Sequence, residues 1–227
     1  MEAIIRPIAT MRSDFPTKFG IPRQSGLVED LHSTIVFEPE YRNTDALRGL
    51  EEFSHLWLIW QFSESVRSDW TPTVRPPRLG GNTRMGVFAT RSPFRPNSLG
   101  LSCVKLIGLE QTAAHGTIIH VAGADLMDRT PIFDIKPYIP YSDAYPDALK
   151  GFTATADDYL LKVQFPSALL NKLPEDKRKA AIAVLSHDPR PSYQHKPDRI
   201  YGLDFAGFDI RFTVEDQTLY VKEVIAL

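Results

Sequence analysis

Cysteine is almost missing from this chain of 227 residues, Cys103 being the only one. An internal disulfide and a multi-thiolate metal site are thereby excluded, which suits a reducing compartment, and the expected localisation is cytoplasmic. The six histidines show no HExxH or comparable spacing, so no metal is expected. No G-x-G occurs, the one adjacent glycine pair being Gly80-Gly81, and there is no P-loop string. A nucleotide turn of the Rossmann kind is therefore not expected. Long apolar runs are lacking too. The densest, Leu56 to Phe62, is too short to cross a bilayer, and the opening MEAIIRPIAT does not read as a signal peptide. No membrane association is expected. What remains is an ordinary apolar and charged balance, 43% and 24%, in a length that suits one large domain or a domain with a smaller appendage.

The most distinctive segment that is present runs from Arg75 to Leu101, RPPRLGGNTRMGVFATRSPFRPNSLGL. It holds five arginines and neither acid nor lysine. Proline, glycine, asparagine and small hydroxyl residues flank the arginines, so the backbone is punctuated by turns. Guanidinium groups are planar and permanently charged, suited to carboxylate and phosphate. From Arg67 to Arg95 there are six arginines against one acid, a net of +5. The whole chain carries −2, which leaves −7 for the rest. A local field of that sign can draw a phosphate backbone onto an otherwise acidic protein.

Short β-rich runs bounded by turn residues dominate the first two thirds: Ile4 to Thr10, Thr34 to Glu38, Leu56 to Ser63, Gly86 to Ala89, Ser102 to Leu109 and Thr117 to Ala122. One helix is expected over Asp45 to Phe53 with Thr44 as N-cap. Pro166 to Ser186 reads as helical with a fresh start at Pro174, and Gly207 to Val214 with Leu219 to Ile225 as a hairpin turning at Glu215-Asp216-Gln217. This pattern predicts a mainly β protein with an α+β appendage: an antiparallel β-barrel over residues 1–145 and a small C-terminal α+β domain over residues 146–227.

The arginine stretch also carries a resemblance, continued in PRQ (Pro22 to Gln24), LRGLEEFSHLW (Leu47 to Trp57), W-x-PTVRPPRLGGN (Trp70 to Asn82), TPIFDIKPYIPY (Thr130 to Tyr141) and DPRPSY (Asp188 to Tyr193). The chain resembles the YaeB/TsaA family of tRNA methyltransferases, also called TrmO. The resemblance implies an S-adenosylmethionine site built on a β-barrel and methylation of N6-threonylcarbamoyladenosine beside the anticodon of threonine tRNA. It also implies a homodimer.

By the same resemblance the cofactor contacts fall on Pro22, Arg23, Gln24, Ser63, Glu64, Arg91, Leu101, Leu126, Met127, Asp128 and Arg129. Arg91 would meet the cofactor carboxylate. Two stretches depart from the family pattern: Ser63-Glu64 stands where His-Gln is usual, and Asp128-Arg129-Thr130 replaces Asp-Gly-Thr, where glycine would allow a positive φ. The target nitrogen is ureido-like and must lose its proton. Asp128 is the expected base, with Asp134 the alternative unless it is occupied by Lys136. RNA contacts are expected from Arg75, Arg78, Arg84, Arg95, Lys136, Tyr138, Arg190 and Tyr193, the tyrosines by stacking. Two other readings stay open at this point: a non-catalytic RNA-binding barrel, and a methyltransferase acting on a small molecule.

Overall fold

The computed structural model describes residues 4–76, 79, 82–155, 159–190 and 198–227. Its first sheet is a ring of six antiparallel strands. Their chain order is β1 (Ala9–Arg12), β2 (His32–Phe37), β3 (His55–Gln61), then, after a two-stranded ribbon of β4 (Thr73–Val74) and β5 (Met85–Gly86), β6 (Leu99–Thr112), β7 (Gly116–Ala122) and β8 (Pro131–Pro137). The spatial order β1-β2-β7-β6-β3-β8 closes because β8 pairs back onto β1 at Ala9↔Ile132. Closure leaves no unpaired edge in the ring.

Alternation decides which side chains fill it. In β3, Leu56, Leu58 and Trp60 point inward and are buried, while Trp57 and Ile59 face out. They pack with Met11, Ile35, Val104, Ile119 and Ile132 from the other strands. Each such side chain contributes about 1.5–3 kcal/mol of burial. The expected helix over Asp45 to Phe53 is instead two 3-10 turns, Thr44–Leu47 and Leu50–Glu52, broken by Gly49 at φ +84°. The first is capped by the Asn43 side chain, which accepts from the Asp45 amide at 3.0 Å, not by Thr44. Leu47 and Leu50 pack against the ring core from these turns.

The rest of the chain runs through α1 (Pro140–Asp143), β9 (Lys162–Gln164), α2 (Ser167–Leu170), α3 (Glu175–Ser186), β10 (Tyr201–Phe205), β11 (Phe208–Glu215) and β12 (Thr218–Ala226). A second, mixed sheet has the order β10-β11-β12-β9, with β9 parallel to β12. Glu175 and Asp176 sit at the positive end of α3, which begins after Pro174 at the N-cap. Its buried stripe of Ala180, Ala181, Val184 and Leu185 packs on the core of that sheet.

The connection between β1 and β2 belongs to this second core. Phe15, Val28 and Leu31 are buried in it, the Phe15 ring lying 5.3 Å from that of Phe205. Asp14 takes the Lys177 ammonium at 2.7 Å, and its carbonyl accepts from the Ala206 amide at 2.9 Å. The segment that leaves the ring at Arg12 and re-enters it at His32 therefore ties the two sheets together. Among the described residues, no helix is long and apolar enough to cross a membrane.

Candidate active site and nucleic-acid face

Three loops meet at one mouth of the ring. Strand β7 ends at Ala122, and Gly123 turns the chain at φ +74°. The Gly26 amide donates to the Gly123 carbonyl at 2.8 Å, and a Cβ on Gly123 would stand 3.2 Å from Gly26 Cα. The close approach and the positive φ together favour glycine here. Next to it the Ser25 hydroxyl accepts from the Cys103 amide at 3.1 Å, seating the loop 22–26 against β6. Gln24 accepts from Arg91 through its side-chain carbonyl, so the third loop joins the other two.

A polar relay runs out of the ring into this mouth. The Trp60 indole donates to Ser102 Oγ at 2.9 Å, and Ser102 Oγ donates to Asp125 Oδ1 at 2.5 Å. An indole N–H can only donate, so the serine proton is left for the carboxylate. Burial pushes the Asp125 carboxyl up from its ordinary range. The Ser102 hydrogen bond, nearby amides including that of Ser25, and the charge of Arg91 oppose the rise. Trp60 can lie where it does because residue 100 is glycine: a Cβ there would fall 2.3 Å from the indole. Asp125, Ser102, Ser25 and Trp60 were not among the residues the sequence pointed to. The readable signal was a serine at an inward position of an alternating strand, between Gly100 and Val104.

Of the expected cofactor residues, Gln24 and Arg91 are brought together, and Leu101 stands 57% exposed on the outer face of β6. Pro22 is buried and Arg23 exposed, close enough to Tyr159 for its charge to act on that phenol. Ser63 and Glu64 are exposed on a 3-10 turn after β3. Met127 is half-buried, and its carbonyl closes a tight turn with Thr130. Leu126 is only 1% exposed and packs in the ring core. Asp128 faces the end of β1: Ser13 donates its amide at 3.2 Å, with Arg12 and Arg129 at 3.9 and 3.6 Å. Arg129 occupies the left-handed region at φ +62°, so the arginine has kept the backbone shape that glycine would have allowed. Asp134 pairs with Lys136 at 2.9 Å.

The arginine loop divides in two. Arg75 is exposed, and Arg84 is exposed with one bond to the Thr73 hydroxyl at 3.0 Å. Arg95 instead donates to the carbonyls of Thr90 and Val87 at 2.7 and 3.3 Å, which makes it a brace of its own loop. Composition had not marked the aromatic residues among the arginines. Trp70 and Phe88 are 50% and 72% exposed with rings 6.1 Å apart, and Arg67 lies 4.0 Å over Phe94. Elsewhere, Tyr138 packs edgewise on His55 and at a tilt on Trp57.

Two expected RNA residues, Arg78 and Tyr193, lie outside the described residues. The expectation that the DPRPSY turn presents Arg190 is corrected: Arg190 is buried, gripping Asp188 through two bonds of 2.8 and 2.9 Å. A carboxylate two residues away satisfied the guanidinium before solvent or a ligand could.

A ring-mouth cluster of opposed charges beside a basic, aromatic loop is the chemistry that suits a small polar ligand and a polyanion. Comparison with known proteins names the family. The model of the tRNA-methyltransferase O N-terminal domain matches residues 10–144 and that of the TrmO C-terminal domain residues 158–227, and the chain belongs to this family. It is 40% identical over 219 residues to the tRNA (adenine(37)-N6)-methyltransferase of Escherichia coli, covering 92% of each chain. It is 42% identical over 175 residues to the protein of that name from Eikenella corrodens, covering 77% of this chain and 98% of the other. The crystal structure of TrmO from Pseudomonas aeruginosa superposes with a TM-score of 0.79 at 32% identity, covering both chains fully.

Proposed function

We propose that this protein is an S-adenosylmethionine-dependent tRNA (adenine37-N6)-methyltransferase. The observation that carries the reading is the match of both family domains in one chain, alongside 40% identity to the E. coli enzyme over 92% of each. The finer substrate proposed is N6-threonylcarbamoyladenosine in threonine tRNA. The ring would serve as the cofactor-binding β-barrel, residues 1–145 and 146–227 as two domains, and a homodimer in the cytoplasm as the working form.

The donor set at the mouth fits such a cofactor: a guanidinium held by Gln24 for a carboxylate, an exposed leucine for an apolar ring face, and amides and hydroxyls for ribose. When bound, the cofactor supplies an electrophilic methyl on a sulfonium. The chain's own task is alignment and proton removal. Asp128 is proposed to accept the proton of the target nitrogen, its position fixed by the Ser13 amide and by Arg12 and Arg129. Arg75 and Arg84 meet phosphates, and Trp70 and Phe88 offer faces for unstacked bases.

The test is a methylation assay with threonine tRNA, read by mass spectrometry of nucleosides, with and without the threonylcarbamoyl group. One added methyl on the modified base is expected. Asp128→Asn should slow single-turnover methylation by on the order of a hundredfold. Arg75→Ala and Arg84→Ala should raise the KM for tRNA and flatten its salt dependence. Cofactor binding without methylation of any tRNA would return the protein to the RNA-binding reading, and absence of cofactor binding would end the enzyme reading.

A further inference from the structure

Three aspartates lie between Gly123 and Pro137, and two are accounted for by cations: Asp128 by Arg12 and Arg129, Asp134 by Lys136. Asp125 has no ion-pair partner among the described residues, although burial pushes its carboxyl up. A carboxylate in that position costs free energy until a cation or sufficient hydrogen bonds reach it. It is nonetheless rigidly presented. Ser102 is 1% exposed and bonds it at 2.5 Å, the Trp60 indole orients Ser102 at 2.9 Å, and Gly100 makes room for the indole. Groups locked from behind in this way bind without losing further freedom.

On the other side of the same loop, Arg91 is exposed and bonded to Gln24. Gln24 thus connects to Arg91, while its neighbour Ser25 holds β6 at Cys103, one residue from the Ser102 that bonds Asp125. The two charges are close enough for Arg91 to favour ionised Asp125, yet they do not pair with each other. A cation and an anion at one loop, not paired with each other and the anion fixed from behind, match a ligand carrying adjacent charges of both signs.

We infer that Asp125 binds the α-ammonium of an α-amino acid group whose α-carboxylate is taken by Arg91, so that the pair reads the methionine end of the cofactor as a zwitterion. The inference rests on the cofactor reading above, extends it to a residue outside the expected set, and assigns Asp125 to binding and not to proton removal.

The test is calorimetry with S-adenosylhomocysteine and with its desamino analogue, in which hydrogen replaces the α-ammonium. Wild-type protein should bind the analogue about 10- to 100-fold more weakly, the range for one charge-assisted hydrogen bond. Asp125→Asn, which keeps an acceptor for Ser102, should lose a similar factor for S-adenosylhomocysteine and nothing further for the analogue. Equal wild-type affinity for the two ligands overturns the inference, as does an Asp125→Asn protein that still discriminates between them. Normal affinities in Asp125→Asn with slowed methyl transfer also overturn it, in favour of a base. The wild-type comparison stands even where the variant fails to fold. Absence of S-adenosylhomocysteine binding to wild type would instead sink the cofactor reading itself.

Discussion

Asp188 and Arg190 show how a single contact can reassign a residue. Burial alone would raise the Asp188 carboxyl, but hydrogen bonds from Arg190 and the Tyr159 hydroxyl hold it below its ordinary value. A depressed folded pKa contributes stability above the unfolded value of about 3.9, and that stability is lost as pH falls through the folded value. Asp188→Asn should therefore be less stable than wild type near neutrality by about 3 kcal/mol, the cost of stranding a buried guanidinium. The two urea midpoints should begin to converge only below about pH 4 and meet once pH has fallen through the depressed folded value. Parallel pH curves would show that the pair does not carry the acid limb. Asparagine tolerates the positive φ of +51° at this position, so backbone strain does not confuse the comparison. Arg129 gives a second case. At φ +62° a β-branched residue is strained by about 1–2 kcal/mol more than glycine, so urea midpoints should rank Arg129→Gly at or above wild type and Arg129→Val below it. The motif departure was legible in the sequence. That the backbone had kept the glycine shape regardless was not, because φ is set by the bonds closing the turn from Met127 to Thr130.

Among elements, the β3–β6 pair carries the site, and Trp60↔Gly100 is its register point. Gly100→Ala would drive a methyl into the indole. It should cost about 1–3 kcal/mol as overpacking and free Trp60 from Ser102, shifting its fluorescence. An unchanged emission spectrum would mean the relay survives. Strand identity was readable where alternation was strong: β2, β3, β6 and β7 appear close to the expected places, with ends shifted by their partners. Strand β1 sits later than expected, at Ala9–Arg12, because register with β2 selects which residues of the apolar run pair. Strand β8, Pro131–Pro137, was missed, since its prolines argue against a strand and lie at its two ends. Strands β9 and β10 are short and take their form from neighbours in the sheet.

For the molecule as a whole, the loop between β1 and β2 makes the two cores depend on each other. Phe15→Ala should cost about 3–5 kcal/mol and move a single thermal transition, because loosening the second core also frees the ends of β1 and β2. Two calorimetric transitions, only one of them shifted, would show the cores to be independent. Composition and spacing by themselves determined a β-rich, thiol-poor chain without a Rossmann turn and with a basic loop. These properties follow from alternation, turn chemistry and local charge, all of which are short-range in sequence. Which carboxylate lacks a cation, which arginine is buried and which aromatic rings stand among the guanidiniums were decided only by the tertiary structure. The Asp125 relay depends on partners distant in the chain: Ser102 is 23 residues from Asp125, and Trp60 is 42 residues from Ser102. Pairings over such separations come from ring closure and strand register, which no local pattern encodes.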